Sequence, residues 1–543
     1  MIVPRVKQEK KGNNTVLVDT AITLSVCEEY ASKASRALAA FLPQCQVMEQ
    51  KENALVTVEK EPGFADKPEA YRLTILNGKV TIGCISYLGL RNALAAFSLT
   101  VRCVGGKLAL PDTTIEDWPD AEFRSIMLDI ASIVKPVDEL KGDLVLFAKS
   151  RMNYAQIYLS DRHGICLRLD CLPEKMFLKN AYTKEEMCDI CEFADMLGIE
   201  LIPQFDMPAH SGLLVTLFDA MICDAPEEIL QRKTMTACTG DPEVYRIYET
   251  IINEILDIFP GRYFHMGGDE LEMLDLSSYC HWDYCNKCLK LREENGLADR
   301  QDQYNYFVKR IHDMVTRRGR SLIMWNDQVD CPRGPVLPTD IVMEFWRVAA
   351  PGRGPVEGCS MNALAEMGYK VINAYYPYTY LFTGEPVIPF TSELLGSWIW
   401  DEDPPCNKEY AANIIGTELC AWGYCSPITK YLYYAQPSAF VLTADKQWNK
   451  DRVVYDEEFA QALTRTLLGV SVPEGFNPFV GIGDVVPPLE DGKLAHCERV
   501  TCSDEELSDI VTTLSRTDII QGADAARAAI YRECVEYAQK NRK

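Results

Sequence analysis

The stretch Gly261-Arg-Tyr-Phe-His-Met-Gly-Gly-Asp-Glu270 decides how the rest of the chain is read. Arg262 to Met266 alternates polar and bulky apolar side chains, which predicts a short buried strand. Gly267 and Gly268 then allow a tight turn, which delivers two adjacent carboxylates, Asp269 and Glu270, to the strand's C-terminal end. Carboxylates confined in one mouth tend to differ in protonation, the less solvated one keeping its proton. One acid and one anion can then act together on a single polar bond. For these ten residues alone the competing reading is a plain surface turn, since acidic residues after glycine are ordinary turn chemistry.

Working outward, seven further runs read as strands: Arg124–Ile130, Asn153–Leu159, Glu200–Phe205, Ser321–Trp325, Ile341–Trp346, Lys370–Ala374 and Ile414–Leu419. Helical spacing falls between them over Val137–Ser150, Lys184–Leu197, Glu243–Phe259 and Asp302–Arg318, and Thr183-Lys-Glu-Glu186 is a capping box that opens one of these helices. Eight short strands alternating with helices over roughly 320 residues predict an α/β fold of the (β/α)8, or TIM, barrel type. A doubly wound open sheet is the rival, weakened because no glycine-rich phosphate fingerprint follows the first strand.

Such barrels gather their active-site residues at the C-terminal ends of the strands. Those ends carry Asp161, Asp206, His210, Asp269, Glu270, Trp325, Trp346, Glu418 and Trp422. Aromatic faces stack on the C–H faces of pyranose rings, and carboxylates handle the proton and the developing charge, so acids and tryptophans on one rim suit a sugar-cleaving pocket. Any single tryptophan is more often core than ligand; three of the chain's eight at strand ends is the stronger sign.

Residues 1–118 read as a separate, non-catalytic α+β domain, with strands at Thr15–Asp19 and Ile22–Val26, helices at Glu28–Phe41 and Leu88–Val101, and a hairpin around Asn77-Gly78. Residues 119–440 then form the barrel. Residues 441–543 are a C-terminal helical region, where Ser503-Asp-Glu-Glu506 caps an amphipathic stretch over Glu505–Arg542. These last helices suit a cover for the barrel or a homodimer contact.

The chain has 55 Lys and Arg against 79 Asp and Glu, a net charge of −24 that disfavours nucleic acid and anionic lipid as partners. No run of 18 or more apolar residues is present, so no membrane helix is expected. Met1 to Lys7 lacks the apolar stretch of a signal peptide, and the 21 scattered cysteines read as reduced thiols of a cytoplasmic protein. Cys280-His281 with Cys285 and Cys288 offers four candidate zinc ligands, although adjacent Cys-His fits one tetrahedron awkwardly. Reduced loop thiols are the favoured reading, and no metal site is assigned. The six histidines show no His-Glu-x-x-His spacing, so no catalytic metal is expected either.

His265-Met-Gly-Gly-Asp-Glu270 resembles the H-x-G-G-D-E signature of the β-N-acetylhexosaminidases of glycoside hydrolase family 20. Arg124-Ser-Ile-Met-Leu-Asp129 is similar to that family's first barrel strand, Asp206-Met-Pro-Ala-His210 to its D-x-P-G-H, and Glu418-Leu-Cys-Ala-Trp-Gly423 to its eighth-strand E-x-x-x-W-G. The likeness covers about the first 435 residues. It implies an exo-acting, retaining enzyme, without cofactor, that removes terminal β-linked GlcNAc or GalNAc from a glycan or glycoconjugate, the substrate's own acetamide acting as nucleophile.

By motif position, Glu270 would be the general acid and base, and Asp269 would orient the acetamide and offset the oxazolinium charge. Asp161 and His210 would belong to the substrate-binding carboxylate network. Trp325, Trp346 and Trp422 would box the sugar, and Tyr380 would bind the acetamido oxygen, with Tyr378 as second candidate. The chain also departs from the pattern. Ser132 stands where the family has its sugar-gripping arginine, Phe382 replaces an aspartate, Tyr424 a glutamate, and Gln156 and Tyr158 two histidines. The groups for the acetamide and the proton are kept, while those reading the outer hydroxyls are largely changed. Arg162 or Arg347 could supply a replacement charge. A non-catalytic sugar-binding relative is the alternative, opposed by retention of both acids.

Overall fold

Short runs in which nearly every side chain is buried make the parallel strands of a closed barrel in the computed structural model. They are Phe123–Asp129, Tyr154–Tyr158, Glu200–Gln204, Tyr263–His265, Ser321–Trp325, Val342–Phe345, Lys370–Asn373 and Ile414–Ala421. Each pairs in parallel with the next, and the eighth returns to the first from Gly416↔Phe123 to Ala421↔Leu128. Every predicted barrel strand lies within two residues of the observed one, whereas the N-terminal strand expected at Thr15–Asp19 runs from Gln8 to Val18. The structure describes residues 1–131, 134–161, 164–271, 279–330, 336–347, 359–381, 392–422 and 437–456, with a few isolated positions beyond these spans.

Side chains alternate along each strand, so inward residues of neighbouring strands stack in layers. The lowest layer is apolar: Phe123, Ile202, Tyr263, Ile323, Val342, Ile372 and Ile415 form one cluster. Above it lies a buried polar layer containing Gln156, Gln204, His265, Glu344 and Glu418. The top layer is aromatic, with Tyr158, Trp325 and Tyr380 buried beside Met127 and Cys420, and Trp346 and Trp422 packed against them. An apolar base beneath an aromatic mouth therefore follows from which residue types occupy alternate strand positions.

The outer helices include Val137–Lys149, Lys184–Met196, Pro242–Ile258 and Arg300–Arg317, close to the predicted spans. The capping box at Lys184 forms, Thr183 and Glu186 each bonding the other's backbone N–H. Ahead of the barrel, an eight-stranded mixed sheet spans residues 8–117, with the helices Glu28–Phe41 and Tyr87–Thr100 beside it. Its hairpin turns at Asn77 (φ 51°) and Gly78 (φ 73°), the left-handed pair expected of Asn-Gly.

Helix Pro437–Trp448 packs against the first and eighth barrel strands, where the Gln447 amide donates to the carbonyls of Ser125 and Thr417. It straddles residue 440, where the sequence suggested that the barrel stops. The helices predicted over Glu505–Arg542 lie outside the described residues. No described helix is long and apolar enough to cross a membrane.

Candidate active site

The turn after the fourth strand can be followed residue by residue. Gly267 has φ +69°, and a Cβ there would sit 2.1 Å from Asp206 Oδ1. Gly268 has φ +89°, and a Cβ there would sit 2.8 Å from the Tyr304 hydroxyl, which donates to the Gly268 carbonyl at 2.6 Å. Both glycines are thus required by close neighbours as well as by backbone conformation. The turn ends in Glu270, itself left-handed at φ 48° and held by its N–H, which donates to Asp327 Oδ2 at 3.2 Å.

His210, on the loop after the third strand, is the hub. Its Nδ1 lies 3.4 Å from Asp161 Oδ1, and its Nε2 lies 3.6 Å from both Asp269 Oδ2 and Glu270 Oε2. It too is left-handed, at φ 52°; such conformations in non-glycine residues are costly and concentrate at functional sites. Burial opposes charge on this imidazole. Asp269, with Asp161 and Glu270, outweighs burial and raises its pKa well above the ordinary 6.5, which favours the protonated ring. Burial raises Asp269 well above 3.8; His210 opposes this, and the charges of Asp206, Asp327 and Glu270 add to it. Asp269 Oδ1 is buried and has no hydrogen-bond partner among the described residues.

Around these acids stands an aromatic box. Trp346 and Tyr380 are stacked at 5.8 Å with 6° between planes, and Trp422 lies 5.8 Å from Tyr380, 6.3 Å from Trp325 and 5.4 Å from Tyr158. The buried indole N–H groups of Trp325 and Trp422 have no acceptor among the described residues, whereas that of Trp346 donates to Asp327 Oδ1 at 3.3 Å. The structure thus brings together Asp161, His210, Asp269, Glu270, Trp325, Trp346, Tyr380 and Trp422. It places Tyr378 elsewhere: that ring stacks on Trp398 at 5.1 Å, and its hydroxyl donates to Asp403 at 2.5 Å.

Other strand-end candidates lie below the mouth. Asp206 is buried and accepts from the Tyr158 hydroxyl at 2.6 Å and the Gln204 amide at 2.8 Å. Glu418 faces into the polar layer beside Glu344. Burial raises its pKa well above 4.5, and burial raises Glu344 to about 7. His265 also belongs to this layer. Its Nδ1 accepts from the Gly267 N–H at 3.0 Å, which leaves Nε2 to carry hydrogen 3.0 Å from Glu344 Oε2, and burial lowers its pKa to about 4. Gln156, in place of a family histidine, donates to Gln204 at 2.8 Å here. Ser132, Arg162, Phe382 and Tyr424 lie outside the described residues.

Two site residues escaped the sequence reading or were only raised by it. Asp327 gathers the Glu270 N–H, the Trp346 indole and Arg347; its signal was an acid two residues past Trp325, at a strand end. Arg347 stacks its guanidinium over Trp346 at 3.8 Å and reaches Asp327 at 3.2 Å and Glu270 Oε1 at 3.5 Å. Of the four candidate zinc ligands, Cys285 and Cys288 gather with Cys223 and Cys238, while His281 Nε2 lies 3.1 Å from the Arg232 carbonyl.

A parallel (β/α)8 barrel with paired acids and an aromatic box at the C-terminal end of its strands has the frame of a glycoside hydrolase. The family model "Glycosyl hydrolase family 20, catalytic domain" matches residues 122–450, and the chain belongs to that family. A Beta-hexosaminidase of Porphyromonas gingivalis is 24% identical over 379 residues, covering 64% of this chain and 47% of its own length. The chain therefore spans about half the length of that relative. A Beta-hexosaminidase of Akkermansia muciniphila is 25% identical over 422 residues, covering 73% of this chain and 82% of its own. Among solved structures, the exo β-N-acetylglucosaminidase of Vibrio harveyi in complex with N-acetylglucosamine superposes with a TM-score of 0.72. It covers 85% of this chain and 76% of its own at 18% identity, a likeness of fold.

Proposed function

We propose that the chain is an exo-acting, retaining β-N-acetylhexosaminidase that removes terminal β-linked GlcNAc or GalNAc from glycans or glycoconjugates by substrate-assisted catalysis. The observation that carries this reading is the placement of Asp269 and Glu270 around the His210 imidazole, beside an aromatic box, with no hydrogen-bond partner for Asp269 Oδ1 among the described residues. The names of the relatives and the bound sugar of the Vibrio harveyi structure point the same way.

In this mechanism the acetamido carbonyl oxygen attacks C1 while Glu270 protonates the glycosidic oxygen. The C1–O bond breaks and an oxazolinium ion forms. Asp269 accepts a hydrogen bond from the acetamido N–H and faces the new positive charge. Burial makes the Asp269 anion costly in the ground state, and a cation forming beside it offsets that cost, so the interaction strengthens toward the transition state. Glu270, now a carboxylate, takes a proton from water as it attacks C1 from the face the aglycone left, restoring the β configuration. Trp325, Trp346, Tyr380 and Trp422 enclose the sugar and its acetamide. Arg347 offers a charge at the mouth where the family arginine is absent, consistent with altered tolerance at the outer hydroxyls.

Turnover of 4-nitrophenyl β-GlcNAc, β-GalNAc and β-glucoside tests the reading. The two acetamido sugars are expected to react and the 2-hydroxy sugar to lag far behind; equal rates would rule out acetamide participation. Glu270→Gln should lower kcat by about 10²–10⁴ while a thiazoline mimic of the intermediate still binds. Wild-type protein that binds the mimic yet turns over none of the panel would make it a sugar-binding relative.

A further inference from the structure

The loops that carry His210 and the Asp269–Glu270 pair leave neighbouring barrel strands, and four cysteines meet where they pack together. Cys223 and Cys238 lie on the connection after the third strand, Cys285 and Cys288 at the end of the loop after the fourth and the start of the helix that follows it, and all four are buried. Their sulfurs lie within 4.8 Å of one another. Cys238 Sγ is 3.7 Å from Cys285 Sγ and 3.6 Å from Cys288 Sγ. Disulfide sulfurs would be about 2.05 Å apart, and these four thiols are free. A tetrahedron of thiolates at the usual zinc distance of about 2.3 Å has edges of about 3.8 Å, close to the measured separations.

The surroundings suit thiolates. Cys285 is the N-cap of helix Asn286–Asn295 and Cys288 sits in its first turn, where the helix dipole favours negative charge. The Asp224 N–H donates to Cys285 Sγ at 3.2 Å, an outer contact of the kind that orients a metal ligand. Two pairs of ligands from two separated segments, one of them Cys-x-x-Cys, is the usual composition of a structural zinc site. The loops are also in backbone contact here, since a Cβ on Gly240 would fall 2.4 Å from the Cys288 nitrogen.

We propose that Cys223, Cys238, Cys285 and Cys288 bind one structural Zn²⁺ as a closed tetrathiolate site that fastens together the two loops presenting His210 and the Asp269–Glu270 pair. With four protein ligands no position is left open for water or substrate, so the metal holds structure and takes no part in the reaction. Binding releases the thiol protons to solvent and needs no oxidant or reductant.

The test is elemental analysis of the full chain, expressed with zinc and purified under reducing conditions without chelator. About one zinc per chain is expected, with Co²⁺-exchanged protein showing the intense visible bands of a tetrahedral tetrathiolate. Cys223→Ser and Cys288→Ser should lose the metal, and Cys280→Ser should keep it. Stripping the metal with a mercurial and a chelator should speed tryptic cleavage at Lys233 by an order of magnitude, with zinc restoring protection. Wild-type protein that holds no stoichiometric metal, or whose four cysteines are recovered as two disulfides, overturns the proposal whether or not the variants fold. Metal content is read without substrate, so the result is independent of the hydrolase reading.

Discussion

His210 shows how one residue's environment sets its job. Three carboxylates face a single imidazole within 3.4–3.6 Å, so the ring should remain an imidazolium through neutral pH, as its ¹⁵N chemical shifts would report. A raised folded pKa stabilises the fold fully below the unfolded value of 6.5, and that contribution is lost as pH rises through the folded value. His210→Asn should therefore reduce the loss of stability on going from neutral to alkaline pH. It should also lower kcat/KM by about 10²-fold, the usual effect of removing one charge-stabilising donor from an active site. A variant with wild-type kcat/KM would detach His210 from the chemistry. At this scale the sequence was a good guide where chemistry is written as a motif: Asp161, Asp269, Glu270, His210 and the strand-end tryptophans assemble, while Asp206 and Glu418 lie deeper. It was silent on Asp327, whose role depends on reaching two neighbouring strand ends. It ranked Tyr380 ahead of Tyr378, and the short helical turn Tyr376–Thr379 directs Tyr380 against Trp346 while Tyr378 stacks on Trp398.

The barrel strands were legible because each is a short apolar run bounded by polar turns, and burial on both faces leaves little freedom in where it begins. The layers within them were less so. Glu418 reads as a rim residue from its strand position, yet its side chain lies in the polar layer beneath the mouth with Glu344 and His265. That layer carries a prediction. His265, lowered from 6.5 to about 4, makes stability fall as pH drops through that window, because the unfolded chain binds the proton first. Glu344, raised from 4.5 to about 7, makes stability fall as pH rises through its window, because the folded chain keeps the proton longer. The two slopes oppose each other between pH 4.5 and 6.5. Glu344→Gln should keep much of the packing but remove one slope, so urea midpoints of the variant should fall more steeply than wild type between pH 6.5 and 4.5. Parallel profiles would mean that the pair is not set by burial. The turn above makes a second prediction. Gly267→Ala meets both a left-handed backbone and the Asp206 carboxylate, so it should destabilise by about 2 kcal/mol or more and lower kcat. Wild-type stability in the alanine variant would show that the loop relaxes freely.

Across the whole molecule, one carboxylate ties the parts together. Asp117 ends the N-terminal sheet and accepts from the Lys7 backbone N–H at 2.9 Å, the Tyr71 hydroxyl at 2.9 Å and the Trp448 indole at 3.0 Å. Its fourth partner is Arg151, 2.5 Å away, just after the first barrel helix, and neither side chain is exposed. The same guanidinium donates to the Pro4 carbonyl at 2.5 Å and packs over the Trp448 ring at 4.8 Å. This junction was not legible in the sequence, because its members are scattered over the chain and none belongs to a motif. Removing the carboxylate leaves a buried arginine without its counter-charge, which costs far more than the pair contributes relative to an apolar replacement. Asp117→Leu alone should thus cost about 3–5 kcal/mol, read as a shift in the urea midpoint. The double variant Asp117→Leu/Arg151→Met should recover much of that loss, since no uncompensated charge remains, and the coupling energy follows from the four-member cycle. If the double variant is as unstable as the single, the loss comes from the Tyr71, Trp448 and Lys7 hydrogen bonds that Asp117 alone accepts. The junction would then be held by its uncharged donors and not by the ion pair.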